Sequence, residues 1–170
     1  MIVSATGHRP DKLGGYNNPT SETKQIALVI AQLEVLKPSF AISGMALGFD
    51  TSFAKAAIEL GIPLIAAIPF EGQERTWRNK TDIDTYNNLL QQANKIVVVT
   101  KGDFSTKPFG EVVAALHRRN EWMVDRSDLI VVMYNGDLKG GTANCVRYAR
   151  KQSKRISNLW ADFSNPPREP

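Results

Sequence analysis

Residues 40–57, FAISGMALGFDTSFAKAA, decide the fold that we expect for this chain. A short apolar run, Phe40 to Ser43, leads into a turn with glycines at positions 44 and 48, and a helical stripe of apolar residues begins at Phe49. A strand that passes through a glycine turn into a helix is typical of proteins in which helices cover a parallel sheet. The same alternation recurs along the rest of the chain.

Apolar runs with the length of buried strands recur at residues 2–6, 63–68, 96–100 and 129–133, and a weaker sixth strand is expected at 155–160. Apolar residues at helical spacing separate these runs. We predict a single-domain α/β fold, Rossmann-like and doubly wound, with a mostly parallel sheet and helices on both faces. Residues 1–160 are predicted to form the domain and residues 161–170 a Pro-rich C-terminal tail, in which the polar stretch 165–170, NPPREP, has nothing to pack.

Composition excludes several classes of protein. The chain has 170 residues, of which 42% are hydrophobic and 22% are charged, as in ordinary globular domains. Its apolar runs are far shorter than the roughly 18 residues of a membrane span, and no signal-peptide pattern begins the chain. Cys145 is the single cysteine, so an internal disulfide is impossible. We therefore predict a cytoplasmic protein.

The formal net charge of +4 and the pI near 9.3 suggest nucleic-acid binding. This charge is concentrated in residues 147–155, here called the basic run, and the rest of the chain is close to neutral. The basic run has no acid, and its cations are Arg147, Arg150, Lys151, Lys154 and Arg155. It is interpreted as a solvated helix face, a subunit contact, or a patch that draws an anionic ligand toward the glycine turn at residues 140–142. Weak nucleic-acid contact is the alternative.

Ligands of α/β folds bind beyond the carboxyl ends of the strands, so the loops there are the candidates for function. The first of these loops opens with Gly7, His8 and Arg9 and runs on to about residue 18. An imidazole and a guanidinium at the strand end can reach a phosphate or a carbonyl group. The alternative is that Arg9 pairs with Asp11 and His8 only bonds to the backbone.

The second loop, residues 43–50, is here called the first glycine turn. Gly44 is expected to allow a tight turn and Gly48 a close approach of the ligand, while free N–H groups at the helix start favour an anion. The G-x-x-x-G spacing differs from the dinucleotide fingerprint. Asp50 is expected to cap the helix or bind a sugar hydroxyl. A plain strand-to-helix turn is the alternative.

The loop after the third strand contains Phe70, Gln73, Arg75 and Trp77. Trp77 is expected either to stack on a nucleobase, an interaction worth about 1–3 kcal/mol, or to pack over the sheet edge. Gln73 and Arg75 are candidates for reading base or phosphate edges.

The second glycine turn, residues 135–142, ends in Gly140, Gly141 and Thr142 and opens another helix. It is predicted to be a second anion site that faces the first across the sheet. Together the two turns predict a ligand with phosphate or hydroxyl groups. Metal-ligand spacing is absent from the sequence, and neither a metal nor a cofactor is predicted. Residues 117–120, HRRN, are expected to form a solvated or subunit-facing surface.

These motifs resemble a known group of proteins. The SGMALGFD stretch closely resembles the SG-x-A-x-G-x-D motif of the DprA/Smf proteins, and Gly140-Gly141-Thr142 is similar to the second glycine motif of the LOG proteins. Both belong to the SLOG superfamily of Rossmann-like folds. Three further stretches resemble the YpsA-like branch of this superfamily. They are Thr6-Gly7-His8-Arg9-Pro10, Pro69-Phe70-x-x-Gln73-x-x-x-Trp77 and Arg119-Asn120-x-x-Met123-Val124-Asp125.

The resemblance covers about residues 1–155 and implies a pocket for a nucleotide or nucleotide-derived ligand. The implied lining is Ser43, Gly44, Gly48, Asp50, Gly140, Gly141 and Thr142, to which the loop positions add Gly7, His8, Arg9, Phe70, Gln73 and Trp77. Cys145 stands where LOG enzymes carry a catalytic glutamate, and Ala54 stands where DprA-like proteins often have a histidine.

Three functions follow as hypotheses. The first is a sensor or sequestering module, expected to be a homo-oligomer, that binds a nucleotide-derived ligand of the ADP-ribose or cyclic type without obligatory chemistry. The second is a LOG-like hydrolase or transferase that acts on the N-glycosidic bond of nucleoside monophosphates, with Asp50, Glu71 or Glu111 as the carboxylate that stabilises the oxocarbenium-like state. The third is DprA-like nucleic-acid binding.

Overall fold

The computed structural model describes residues 1–165, so the last five residues of the predicted tail lie outside the described part. Six strands form one sheet in the order β4-β3-β2-β1-β5-β6, and every neighbouring pair is parallel. They are β1 (Ile2–Gly7), β2 (Phe40–Ser43), β3 (Leu64–Ile68), β4 (Lys95–Val98), β5 (Leu129–Met133) and β6 (Arg155–Asn158). The predicted α/β fold is confirmed, including the weak sixth strand.

Helices alternate with these strands. They are α1 (Pro19–Leu36), α2 (Phe49–Glu59), α3 (Lys80–Gln92), α4 (Phe109–Asp125), α5 (Gly141–Lys151) and α6 (Trp160–Ser164), with short 3-10 turns at Pro10–Lys12 and Gln73–Thr76. Helix α1 begins where Asn18 accepts a hydrogen bond from the Ser21 N–H at 3.0 Å and Pro19 takes the first helical position.

Strand β5 shows why the sheet needs helices on both faces. All five of its residues are buried. Val131 and Met133 join the larger core with α1, α2 and α3, whereas Ile130 and Val132 pack with α4 and α5. Side chains of a strand alternate between the two faces, so a strand that is apolar at every position must be covered on both.

Helix α6 continues past the predicted end of the domain. The predicted domain ends at residue 160, whereas Phe163 packs against the larger core and the Lys24 ammonium lies 5.6 Å from its ring centre. Lys24 also donates to the Asn165 carbonyl at 3.0 Å. Residues 161–165 therefore contact the rest of the chain, and a five-residue helix with three apolar residues is too short to show a helical period in the sequence.

Strand β1 lies at the switch point of the sheet. The chain winds from β1 toward β2, β3 and β4 on one side and toward β5 and β6 on the other. A crevice forms at the carboxyl ends of the strands where the winding direction reverses. The loops after β1, β2 and β5 meet there, and these are three of the four loops that were candidates for function on the sequence.

Candidate functional site

The loops after β1 and β2 are in close contact at Gly7 and Gly48. A Cβ on Gly48 would lie 2.5 Å from the His8 carbonyl oxygen, and a Cβ on Gly7 would lie 2.5 Å from Cβ of Phe49. The Phe49 N–H donates to the same His8 carbonyl at 3.2 Å. The close approach predicted at Gly48 is therefore made by the chain's own backbone, and Gly48 adopts the left-handed φ of 94° that suits glycine.

Glycine is needed at position 44 because there is no room for a side chain there, and not because the backbone adopts a left-handed conformation. The residue with positive φ in this turn is Met45, at 58°. A Cβ on Gly44 would overlap with the Arg119 guanidinium and would lie 2.7 Å from Oδ2 of Asp50. Two charged side chains thus fill the volume that any other residue would need.

Arg119 and Asn120 are buried, at 4% and 7% exposure, so the prediction of a solvated surface at residues 117–120 is wrong for both. Arg119 donates through Nη1 to the Gly44 carbonyl and through Nε to Oδ1 of Asn120 at 2.9 Å. Nδ2 of Asn120 lies 3.4 Å from the Gly141 carbonyl oxygen. The face of α4 that meets the glycine turns is polar, which an analysis of apolar stripes could not detect.

Internal hydrogen bonds hold the first glycine turn. The Ser43 hydroxyl donates to the Asp50 carbonyl at 2.8 Å and accepts from the Met45 N–H at 3.1 Å. Oδ2 of Asp50 lies 3.4 Å from the Ala46 nitrogen. Burial raises the pKa of the Asp50 carboxyl, while the charges of Arg119 and Arg9 oppose that rise. Ser43 and Asp50 thus shape the turn from within.

A cavity of about 880 Å³ opens beside this turn. The loops after β1, β2, β3 and β4 contribute its walls, so it lies at the carboxyl edge where the sequence predicted a site. Of the predicted residues it gathers Arg9, Phe70, Gln73 and Trp77, together with residues that were not predicted, chiefly Tyr16, Leu47, Arg78 and Phe104.

Aromatic rings form part of this wall. Phe70 stacks on Phe104, with ring centres 4.4 Å apart and planes within 10°. Trp77 meets the ring of Tyr86 edge-on at 5.2 Å and packs partly against the larger core. Of the two roles considered for Trp77, packing is therefore present, and its ring also reaches the cavity.

Cations outnumber carboxylates around the cavity. Arg9, Arg75 and Arg78 line it, against Glu71 and Asp82. Arg9 is exposed and makes no ion pair within 4.0 Å among residues 1–165, so its expected alternative pairing with Asp11 is not formed. The Arg9 guanidinium is therefore available to an anion.

Gln73 supports the turn. It is buried, and Nε2 lies 3.5 Å and 3.4 Å from the carbonyl oxygens of Gly44 and Met45 and 3.3 Å from the Tyr86 hydroxyl. Its amide donors are thus directed at the protein, away from the base or phosphate edge suggested by its position in the sequence.

His8 faces away from the cavity. Its Nε2 lies 2.7 Å from Oδ1 of Asn135, in the loop after β5, and Trp160 packs edge-on to its ring at 5.6 Å. Burial lowers the pKa of His8. The imidazole therefore joins the loops after β1 and β5, and its burial disfavours the charged form.

The second glycine turn does not line the cavity. Gly140 and Gly141 are exposed, and Thr142 is half-buried. An ion pair between Lys12 and Asp137 ties this loop to the loop after β1. The two glycine turns therefore flank β1 without sharing the enclosed space.

Most of the basic run lies at the opposite edge of the sheet. Arg147 is near the second glycine turn and donates to the Leu138 carbonyl at 2.9 Å. Arg150 and Lys151 end α5, about 15 Å from its start at a rise of about 1.5 Å per residue. Lys154 donates to the Ser127 carbonyl at 2.8 Å, and Arg155 lies against Met1. Of the basic run, Arg147 is the residue that the structure places beside the second glycine turn.

The candidate catalytic groups are dispersed. Glu71 lines the cavity, Asp50 lies behind Gly44, and Glu111 forms an ion pair with Lys107 at 3.3 Å. Cys145 is buried, and burial raises its pKa to about 12. Within residues 1–165 no group of three or more His, Cys, Asp or Glu side chains is placed to hold a metal ion, and no helix could cross a membrane.

Comparison with known proteins supports the resemblance. The model of the YspA SLOG family matches residues 3–161. The SPbeta prophage-derived protein YoqJ of Bacillus subtilis is 34% identical over 106 residues, which are 59% of this chain and 61% of YoqJ. The UPF0398 protein BH1768 of Halalkalibacterium halodurans is 26% identical over 91% of this chain and 82% of its own length.

A solved structure shares the fold. DNA processing protein A of Helicobacter pylori, described for its single-stranded DNA binding mode, superposes with a TM-score of 0.63 at 21% identity over 93% of this chain. The match covers 64% of that protein, so the present chain spans less than two thirds of it, as it does of YoqJ.

Proposed function

The chain belongs to the YspA SLOG family, and on that premise we propose that it binds a nucleotide or nucleotide-derived ligand in the cavity beside the first glycine turn. The observation that carries this proposal is that aromatic rings and arginines line one enclosure of about 880 Å³. Rings offer stacking surface to a base, and guanidinium groups bind phosphate. The volume lies within the range of about 300–1,000 Å³ common for small-molecule sites.

The order of the strands supports one orientation of the proposed ligand. Phe70 and Phe104 follow β3 and β4, at one end of the sheet, whereas Arg9 and Leu47 follow β1 and β2. We expect the base against the stacked phenylalanines and the phosphate near Arg9. The N–H groups of Leu47 and Gly48 have no hydrogen-bond acceptor within residues 1–165 and can contact the same phosphate.

The residues around the cavity are those that a protein needs to bind its ligand without catalysing a reaction. Cys145 occupies the position at which the LOG resemblance leads one to expect a glutamate, and the buried carboxyl of Asp50 is not part of the cavity wall. A module that senses or sequesters its ligand needs neither group. Of the three carboxylates considered from the sequence, Glu71 is the one that lines the cavity, where Asp82 is a second acid. Release of free base from nucleoside monophosphates would reveal hydrolysis of an N-glycosidic bond.

Calorimetric titration with AMP, ADP, ADP-ribose and a cyclic dinucleotide tests the proposal. At least one of them should bind saturably, and Phe104→Ala should weaken that binding by about tenfold because a stacking ring is lost. Phe109→Ala is the matched control, since Phe109 is 82% exposed and does not line the cavity. If the wild-type protein binds none of the four, or if both variants lose affinity equally, the proposal is wrong.

Single-stranded nucleic acid is a second candidate for the same cavity. It is favoured by the combination of arginines with aromatic rings, which suits a strand as well as a nucleotide, and by the DNA binding described for the Helicobacter pylori protein. A ten-nucleotide oligothymidylate should then bind more tightly than thymidine monophosphate, with an affinity that falls steeply as salt increases. Equal affinity for the two favours the small ligand.

A further inference from the structure

Arg119 places a positive charge beneath the first glycine turn. Its side chain is 4% exposed, and it donates to the Gly44 carbonyl and to Oδ1 of Asn120. Both acceptors are neutral groups. The charge of the guanidinium is therefore solvated by the protein but is not cancelled by these two contacts.

No carboxylate within residues 1–165 forms an ion pair with Arg119 at 4.0 Å or less. Asp50 is a nearby acid, and it stands with Arg119 around the position that a Gly44 Cβ would occupy. Burial raises the pKa of the Asp50 carboxyl and the charge of Arg119 opposes that rise, so the two groups interact across the Gly44 position without forming a direct ion pair. A buried charge without a direct partner is unfavourable, so this site gains from an added anion.

The turn itself has groups to receive that anion. The N–H groups of Leu47 and Gly48 are half-buried and have no acceptor within residues 1–165, and α2 directs the positive end of its dipole toward the same turn. Leu47 also lines the 880 Å³ cavity. An anion at the turn would therefore lie between these N–H groups, the exposed Arg9 and the buried charge behind Gly44.

We propose that Arg119 is a specificity-determining residue that makes the first glycine turn select a phosphate or pyrophosphate group. It acts through Gly44 without touching the ligand and is thus a positioning residue. The inference rests on the proposed function for the location of the ligand and adds the group that gives this end of the cavity its preference for anions over neutral molecules.

Titration with inorganic pyrophosphate, followed through the backbone amide resonances of Leu47 and Gly48, tests the inference without a nucleoside. The wild-type protein should show saturable shifts. Arg119→Gln should weaken binding by about tenfold and Arg119→Lys by no more than about threefold, because lysine keeps the charge. Asp50→Asn should strengthen binding by about threefold, because it removes the opposing charge but keeps an acceptor for the Ala46 N–H.

The sign of the Asp50→Asn effect separates electrostatic selection from simple structural support. If Arg119 and Asp50 only shape the turn, both neutral substitutions weaken binding and Arg119→Lys does not restore it; that result, or a wild-type protein without saturable shifts, overturns the inference. Should Arg119→Gln fail to fold, the Asp50→Asn and Arg119→Lys results decide alone.

The pyrophosphate titration and the nucleotide titration can fail independently of each other. Pyrophosphate binding with no nucleotide binding would overturn the proposed function and keep the role of Arg119. Equal affinities for adenosine and ADP, without pyrophosphate binding, would overturn the role of Arg119 and keep the proposed function.

Discussion

Gly44 and Gly48 lie four residues apart in one turn, but they are needed for different physical reasons. Gly48 adopts a φ of 94° and admits the backbone of residues 8 and 9. Gly44 leaves room for the side chains of Arg119 and Asp50. The sequence predicted that glycines are needed at both positions, but not that Arg119, 75 residues away, is the reason for one of them.

This difference predicts the effect of adding a single methyl group. Gly44→Ala should reduce the free energy of unfolding by about 1–3 kcal/mol, as overpacking of a rigid site does. Gly141→Ala is the control, because a Cβ there meets nothing within 4 Å and φ is not in the left-handed region; it should change stability by less than about 0.5 kcal/mol. Urea unfolding of both variants measures this, and equal effects would contradict the packing described for Gly44.

His8 predicts a pH dependence of stability. Its pKa is lowered in the folded state, so below about pH 6.5 the unfolded chain takes up a proton that the folded chain does not. Its contribution to stability is therefore present above that pH and is lost as the pH falls. The free energy of unfolding should decrease less between pH 7.5 and pH 5.5 in His8→Gln than in the wild-type protein; equal decreases would show that His8 is not responsible.

At the scale of elements, the strands were predictable because each is an apolar run with a sharp end. The five stronger runs and the weak sixth all form strands, with bounds that shift by a residue or two. Helix α4 shows the limit of this approach. Its apolar stripe was predictable, but its polar inner face, with Arg119 and Asn120, is buried only because the two glycine turns present carbonyl oxygens to it.

Helix α6 is short enough that its stability must come from packing. Phe163→Ala removes a half-buried ring from the larger core and should reduce the free energy of unfolding by about 1–2 kcal/mol. Phe109→Ala, at an 82% exposed position, should change it by less than about 0.5 kcal/mol. Denaturant unfolding of the two variants tests whether residues beyond 160 belong to the folded unit, and an unaffected Phe163→Ala would show that they do not.

At the scale of the whole molecule, the net charge of +4 does not describe a single binding face. Arg150 and Lys151 lie at the far end of α5 from the glycine turns, where they favourably complement the helix dipole. The arginines at the cavity are others, namely Arg9, Arg75 and Arg78. A residue count finds the excess of positive charge, but only the fold shows which cations face a ligand.

The double variant Arg150→Gln, Lys151→Gln should therefore bind nucleotides within about twofold of the wild-type affinity, since screening is nearly complete beyond about 10 Å in ordinary salt. Arg9→Ala should weaken binding by about fivefold or more, because a charge-assisted contact to phosphate is lost. Calorimetry with the same ligand compares the two. A larger loss in the double variant would place the binding face at the basic run.

On the proposed function, the ligand occupies the cavity beside the first glycine turn and does not bridge both turns. A crystal structure determined with ADP bound tests it most directly. We predict the base against the Phe70 and Phe104 rings and the diphosphate within hydrogen-bond distance of Arg9 and of the N–H groups of Leu47 or Gly48. ADP bound at Gly140 to Thr142 with the cavity empty would contradict the account.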